Sequence, residues 1–193
     1  MKTMHRLRFP TLIAAAAVAV LLSAAGPVPA ADLEPGFTSM FNGKDLTGWS
    51  GNPDLWFVKD GCITGQTKAD PKLTHNTFLV YTNGDVSDFE LRCSYKIING
   101  NSGIQYRSKV VEQGKFGPIV AGYQADFEAG KTYSGILYEE RIRGILALRG
   151  EKVVITEVQE EKDGKTQKKL KKEVVGSLGK SDEIQKQIKD EDW

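Results

Sequence analysis

Within Asp88 to Phe127, three runs alternate polar and apolar residues. That period of two suits β-strands and does not suit an amphipathic helix. Asp88–Ile98 carries it most cleanly. Phe89, Leu91, Cys93, Tyr95 and Ile97 form one row, and Glu90, Arg92, Ser94 and Lys96 form the other. Two further runs follow, NGNSGIQYR from Asn99 and GYQADF from Gly122. In the first, Gln105 and Arg107 oppose Ile104 and Tyr106; in the second, Gln124 and Asp126 oppose Tyr123, Ala125 and Phe127. Paired in one sheet, Gln105, Arg107, Gln124 and Asp126 would share a polar face. Amide, guanidinium and carboxylate together suit a neutral, hydroxyl-rich ligand. An ordinary solvated sheet face is the competing reading, and spacing alone favours it.

The rest of the chain repeats the strand signal. Trp56–Val58 and Cys62–Thr64 flank Asp60-Gly61, the pair expected in a tight hairpin turn. Phe78–Tyr81 reads as a short buried strand, and 134–140 and 144–158 as two more. EEKDGKTQKKLKKE (160–173), centred on Asp163-Gly164, reads as a long exposed hairpin. Its interleaved glutamates favour a solvated ribbon over a polyanion-binding surface. Ser181–Asp190 predicts one or two helical turns, with Ser181 or Asp182 as cap and Ile184 and Ile188 four apart. No segment between the N-terminal leader and residue 180 sustains a helical period. Short strands with Gly, Asn and Asp turns therefore predict an antiparallel β-sandwich.

Residues 1–30 have the form of a signal peptide. Lys2, Arg6 and Arg8 precede an apolar Leu12–Ala25 segment, and Val28-Pro29-Ala30 places small residues before a cleavage point. The apolar run is short for a permanent membrane span. Export to the periplasm, cell surface or medium is the expectation. Losing those three basic residues takes the formal charge from +1 to −2, which argues against nucleic acid as a partner. Outside the cytoplasm, Cys62 and Cys93 are a candidate disulfide, with two buried free thiols as the alternative.

Several chemistries lack their residues. There is no phosphate-binding glycine loop, dinucleotide fingerprint, CxxC pair, HExxH or GxSxG motif. The two histidines are His5, in the leader, and His75, in a polar loop. Proton transfer would thus fall to carboxylates, Tyr, Lys or Arg.

FTSMFNGKDLTGW, WFVKDGCITG, DFELRCSYKIINGNSGIQYRS, GYQADF and GILYEERIRGILA, in that order, resemble the 3-keto-disaccharide hydrolase domain family. The resemblance runs from Gly36 to Trp193 and implies one domain over 36–193. It implies a concanavalin A-like jelly-roll sandwich and an exported enzyme that cleaves glycosides oxidised at C3. The chain ends at DEDW, where the family continues, so the resemblance also implies that closing C-terminal strands are missing.

A ketone at C3 acidifies the C2 proton. A base removes it, the group at C1 leaves by elimination, and water then adds. On this reading Asp126 is the candidate base and Arg107 a candidate enolate stabiliser, a task a divalent cation with no assigned ligands could share. Glu139 and Glu140 are adjacent on a strand and so face opposite ways. Glu140 is the second candidate catalytic carboxylate. For either, an ion pair to Arg141 or Arg143 is the competing role. Asn101, Ser102, Gln105, Arg107, Tyr123, Gln124, Tyr138, Glu139 and Arg143 are the candidate sugar-binding residues, with a purely structural turn the rival for Asn101-Ser102-Gly103. The expected ligand is a 3-keto-glycoside or related oligosaccharide. A non-catalytic lectin-like module and a structural envelope protein are the alternative functions.

Overall fold

The computed structural model describes residues 33–162 and 164–193, so the expected signal segment and Asp163 lie outside the described residues. Asp60 and Gly61 both take positive φ, 51° and 73°. Such a pair matches the right-handed twist of the flanking strands. β2 (Trp56–Lys59) therefore returns directly as β3 (Cys62–Gly65). Beside this hairpin, β1 (Trp49–Ser50) pairs with β4 (Val80–Tyr81), and the Trp49 and Tyr81 rings meet edge to face at 5.0 Å.

The main sheet is a meander of four antiparallel strands, β5 (Asn101–Gly114), β6 (Gly117–Glu128), β7 (Leu137–Glu140) and β8 (Gly144–Ala147). β6 runs through the core, where Ile119, Val120 and Ala121 are buried with Leu55, Phe78, Phe116, Ile136, Leu146 and Ala147. Burying a large side chain of this kind contributes about 1.5–3 kcal/mol. The expected 144–158 strand breaks at a turn near Gly150 (φ 85°), which separates β8 from β9 (Glu151–Lys162). β9 pairs with β10 (Lys165–Ser177), so the charged hairpin is present and longer than its charged run. Exposed ion pairs such as Lys168–Glu157 (3.2 Å) and Lys169–Glu160 (2.9 Å) decorate it.

The helix is shorter than expected, α1 (Ser181–Gln185), and its N-cap is Lys180, which makes no side-chain capping bond. Ser181 is already engaged, its hydroxyl accepting from Nε of the buried Arg149 at 3.2 Å. No helix among the described residues is long and apolar enough to cross a membrane.

The class is all-β and antiparallel, as the alternation requires. One expected strand is not realised. Asp88–Ile98 belongs to no ladder, and its backbone makes no hydrogen bond to the backbone of another described residue. Alternation predicts a face, but a strand needs a neighbour to receive its N–H and C=O groups. The segment does touch the main sheet, with Tyr95 stacked on Phe127 at 4.0 Å. The candidate disulfide is not formed either. Cys93, in that unpaired segment, is an exposed free thiol, not the buried one of the alternative reading. Cys62 is free and half-buried, its thiol 3.6 Å from the Asp60 carbonyl of its own hairpin.

Candidate functional site

Cross-strand partners share a sheet face, so register decides which polar groups meet. Gly103 opposes Asp126, Gln105 opposes Gln124, and Gln124 in turn opposes Tyr138 on β7. Gly122 opposes Glu140. Gln105, Gln124, Asp126, Tyr138 and Glu140 therefore lie on one face, and Asn101 falls in the same row.

On that face the amides form a directed row. Ser108 Oγ donates to Gln105 Oε1 at 2.8 Å, Gln105 Nε2 donates to Gln124 Oε1 at 2.9 Å, and Gln124 Nε2 donates to Asp126 Oδ1. Two glycines make room for it. A Cβ on Gly103 would lie 2.6 Å from Gln124 Cγ and 2.8 Å from the Ala125 carbonyl oxygen. A Cβ on Gly122 would strike Ser108. Gly103 thus serves packing within β5 and not the tight turn expected of it. The turn before β5 is Asn99-Gly100, with φ 63° and 79°.

Arg107 leaves the row. The β5–β6 register shifts between Tyr106 and Lys109, and Arg107 takes φ 47° at that bulge. Ser108 occupies the place beside Gln105 that strict alternation assigns to Arg107. The Arg107 side chain is 62% exposed and pairs with Asp88 at 3.6 Å.

Glu140 and Tyr138 open onto a cleft of about 390 Å³ whose other walls are Thr74, His75, Asn76, Phe78 and Arg141. The buried Glu140 carboxylate accepts from Asn76 Nδ2 at 2.7 Å. His75 packs on Phe116, 5.3 Å between ring centroids, which fixes this loop against the β5–β6 end of the sheet. Burial raises the Asp126 carboxyl above its ordinary range. Glu140 and Glu128 push the same way, against the side-chain hydrogen bonds of Gln124 and Asn101. Burial likewise raises the Tyr138 hydroxyl, reinforced by the charges of Glu140 and Asp126. A desolvated carboxylate, a tyrosine held in its neutral form and a second carboxylate thus stand in one electrostatic neighbourhood. Such an arrangement can accept and donate protons.

The remaining candidates occupy the opposite face. Ser102 opposes Phe127, and Tyr123 lies between Tyr106 and Glu139. Glu139 is not beside Glu140's cleft; it grips Arg143 through both carboxylate oxygens, and Arg143 also donates to the Tyr123 hydroxyl at 2.9 Å. Tyr106 stacks on Tyr123 with 5.7 Å between ring centroids. The structure thus divides the eleven sequence-nominated site residues, with Arg107 on neither cluster. Among the described residues, no three His, Cys, Asp or Glu side chains converge closely enough to hold a metal ion. The cation raised by the resemblance therefore has no assigned ligands.

A family model described as a 3-keto-alpha-glucoside-1,2-lyase-like domain matches residues 36–191. The chain belongs to this family. The name of the 3-keto-alpha-glucoside-1,2-lyase-like family denotes sugar-cleaving chemistry of the hydrolase or lyase kind. No curated protein and no solved structure matches the chain. For this member of the 3-keto-alpha-glucoside-1,2-lyase-like family, sequence reasoning missed Ser108, His75 and Asn76. Ser108 sits behind a bulge that spacing does not announce. Asn76 and His75 belong to a loop without periodicity, and only the Thr-His-Asn cluster itself, ahead of a buried Phe, offered any signal.

Proposed function

We propose that the protein cleaves 3-keto-glycosides outside the cytoplasm, reached through the export signal in residues 1–30, with Asp126 as the base that removes the C2 proton. One observation carries this reading: a carboxylate raised by desolvation ends the amide row on the same face as Tyr138 and Glu140 at the cleft. A base is stronger when its conjugate acid is weaker, and burial moves Asp126 in that direction.

The Asp126 carboxylate takes the proton from C2, and the C–H electrons move into the C2–C3 bond while the C3 carbonyl oxygen becomes an enolate oxygen. The Tyr138 hydroxyl, kept protonated by its surroundings, donates a hydrogen bond to that oxygen. The enolate collapses, the C1–O bond breaks, and the departing alkoxide takes the proton that Asp126 removed from C2, which returns Asp126 to its carboxylate form. Water then adds across the new double bond to give the hydrolysed sugar. Glu140, fixed by Asn76, keeps Asp126 basic and is the nearby carboxylate for the later proton exchange.

The test is release of glucose from 3-keto-trehalose by the purified protein, with and without added divalent cations. Asp126→Asn is expected to lose about 10²- to 10⁴-fold in turnover, the usual weight of a general base, while still binding the sugar. No release under any condition overturns the enzymatic reading and leaves the lectin-like one. Full activity in Asp126→Asn overturns the choice of base.

A further inference from the structure

His75 lines the cleft with Tyr138 and Glu140, but Asp126 and Tyr138 accomplish the elimination without it. Two contacts hold its half-buried ring. It packs on Phe116, with 5.3 Å between ring centroids, and its Nδ1 lies 2.9 Å from the carbonyl oxygen of Asn76. A carbonyl oxygen only accepts, so in the neutral ring the proton sits on Nδ1 and the lone pair on Nε2. Gly114 keeps a side chain away from that nitrogen, since a Cβ there would stand 3.1 Å from Nε2. Asn76 thus serves two groups at once. Its main chain sets the His75 tautomer, and its side chain holds the Glu140 carboxylate at 2.7 Å. An imidazole oriented through one nitrogen, with its lone pair on the other, has the form of a general base.

We infer that His75 Nε2 is the base that takes a proton from the water adding to the unsaturated sugar, the second half of the reaction. The inference rests on the 3-keto-glycoside reading. Elimination leaves a C1=C2 double bond conjugated with the C3 ketone. The water oxygen bonds to C1 as one of its protons passes to Nε2. The C1=C2 electrons move into the C2–C3 bond, and the C3 oxygen becomes an enolate oxygen. The enolate then re-forms the ketone and takes at C2 a solvent proton relayed by Glu140, while the imidazolium returns its proton to solvent. One water is added, and nothing is oxidised or reduced. The amide row fixes Asp126 on the sheet, whereas His75 stands in the loop wall of the cleft. Two bases on separate elements suit proton removal at C2 and water attack at the neighbouring C1.

Separate products report the two halves. Glucose released from 3-keto-trehalose follows elimination, and mass spectrometry gives the ratio of unsaturated to hydrated keto-sugar. In His75→Gln that ratio, compared at equal glucose release, should rise about 10²-fold, the lower weight of a general base. His75→Phe retains an aromatic ring against Phe116 and should show the same rise, with circular dichroism of both variants checking the fold. The unsaturated sugar, isolated and supplied directly, loses its ultraviolet absorbance on hydration. The wild-type protein should accelerate that loss, and both variants should slow it about 10²-fold. If His75 only steadied the loop, glucose release and hydration would fall together and the ratio would not move. An unmoved ratio in either folded variant overturns the inference. So does a wild-type protein that fails to hydrate the supplied sugar. A wild-type protein that hydrates that sugar but releases no glucose overturns the cleavage reading instead.

Discussion

Removing Arg143 should cost far more stability than removing its partner Glu139. The Glu139 side chain is 6% exposed and that of Arg143 25%. Arg143→Leu strands a buried carboxylate whose two oxygens have lost their donor. Breaking a buried pair in this way costs about 3–5 kcal/mol. Glu139→Gln leaves a guanidinium that still reaches water and still donates to the Tyr123 hydroxyl at 2.9 Å. Losing one charge-assisted contact there costs about 1.5–3 kcal/mol, at the low end because water can substitute. The double variant should be more stable than Arg143→Leu alone, since no buried charge then lacks a partner. Urea unfolding followed by circular dichroism at neutral pH, with the slope checked for constancy, measures all three. Because this pair lies on the face away from Asp126, turnover per folded molecule should stay near the wild-type value. Equal costs for the two single changes, or a double variant no better than Arg143→Leu, would refute the argument from burial.

Other consequences are as specific. Glu140→Gln removes one of the charges that raise Asp126, so the acidic limb of the kcat/KM profile should move to lower pH; no movement, or movement upward, contradicts the coupling. Asp126 holds its proton more tightly folded than unfolded, so its ionised form opposes folding as pH rises through the folded value. Asp126→Asn should accordingly raise the thermal midpoint at pH 7, with the gain shrinking toward pH 3 in a scan across that range. Gly103→Ala must displace Gln124 or the Ala125 carbonyl, and an overpacking cost of about 1–3 kcal/mol is expected in chemical denaturation. Lys168→Ala removes an exposed ion pair on the long hairpin and should change stability by less than about 1 kcal/mol in the same assay.

Local turn chemistry was the most legible part of the fold. Asp60-Gly61 announces its hairpin because only a few residue pairs tolerate two positive φ values in succession. The β5–β6 pairing and the Gln105, Gln124, Asp126 row also follow from alternation, since a strand's two faces are set by parity. Arg107 shows where that logic stops. A single bulge inverts parity, and the residue that gains the inner place is Ser108. Asp88–Ile98 shows a second boundary: its alternation is the cleanest in the chain, yet pairing depends on a neighbour that local pattern cannot supply. The cleft was illegible for a third reason. Asn76 and Glu140 are 64 residues apart, and their contact exists only because the 74–78 loop packs on the core through Phe78 and His75.

The directed row of amides has a stereochemical corollary. Each amide has one end that gives and one that receives, and the ionised carboxylate only accepts, so reversing the row from Ser108 to Asp126 forfeits its bond to Asp126. It terminates on Oδ1 alone. One lone pair of that oxygen is committed, so Oδ1 is a poorer place for an incoming proton than it would be without the row. The brace that keeps the carboxylate still therefore also makes its two oxygens unequal as proton acceptors.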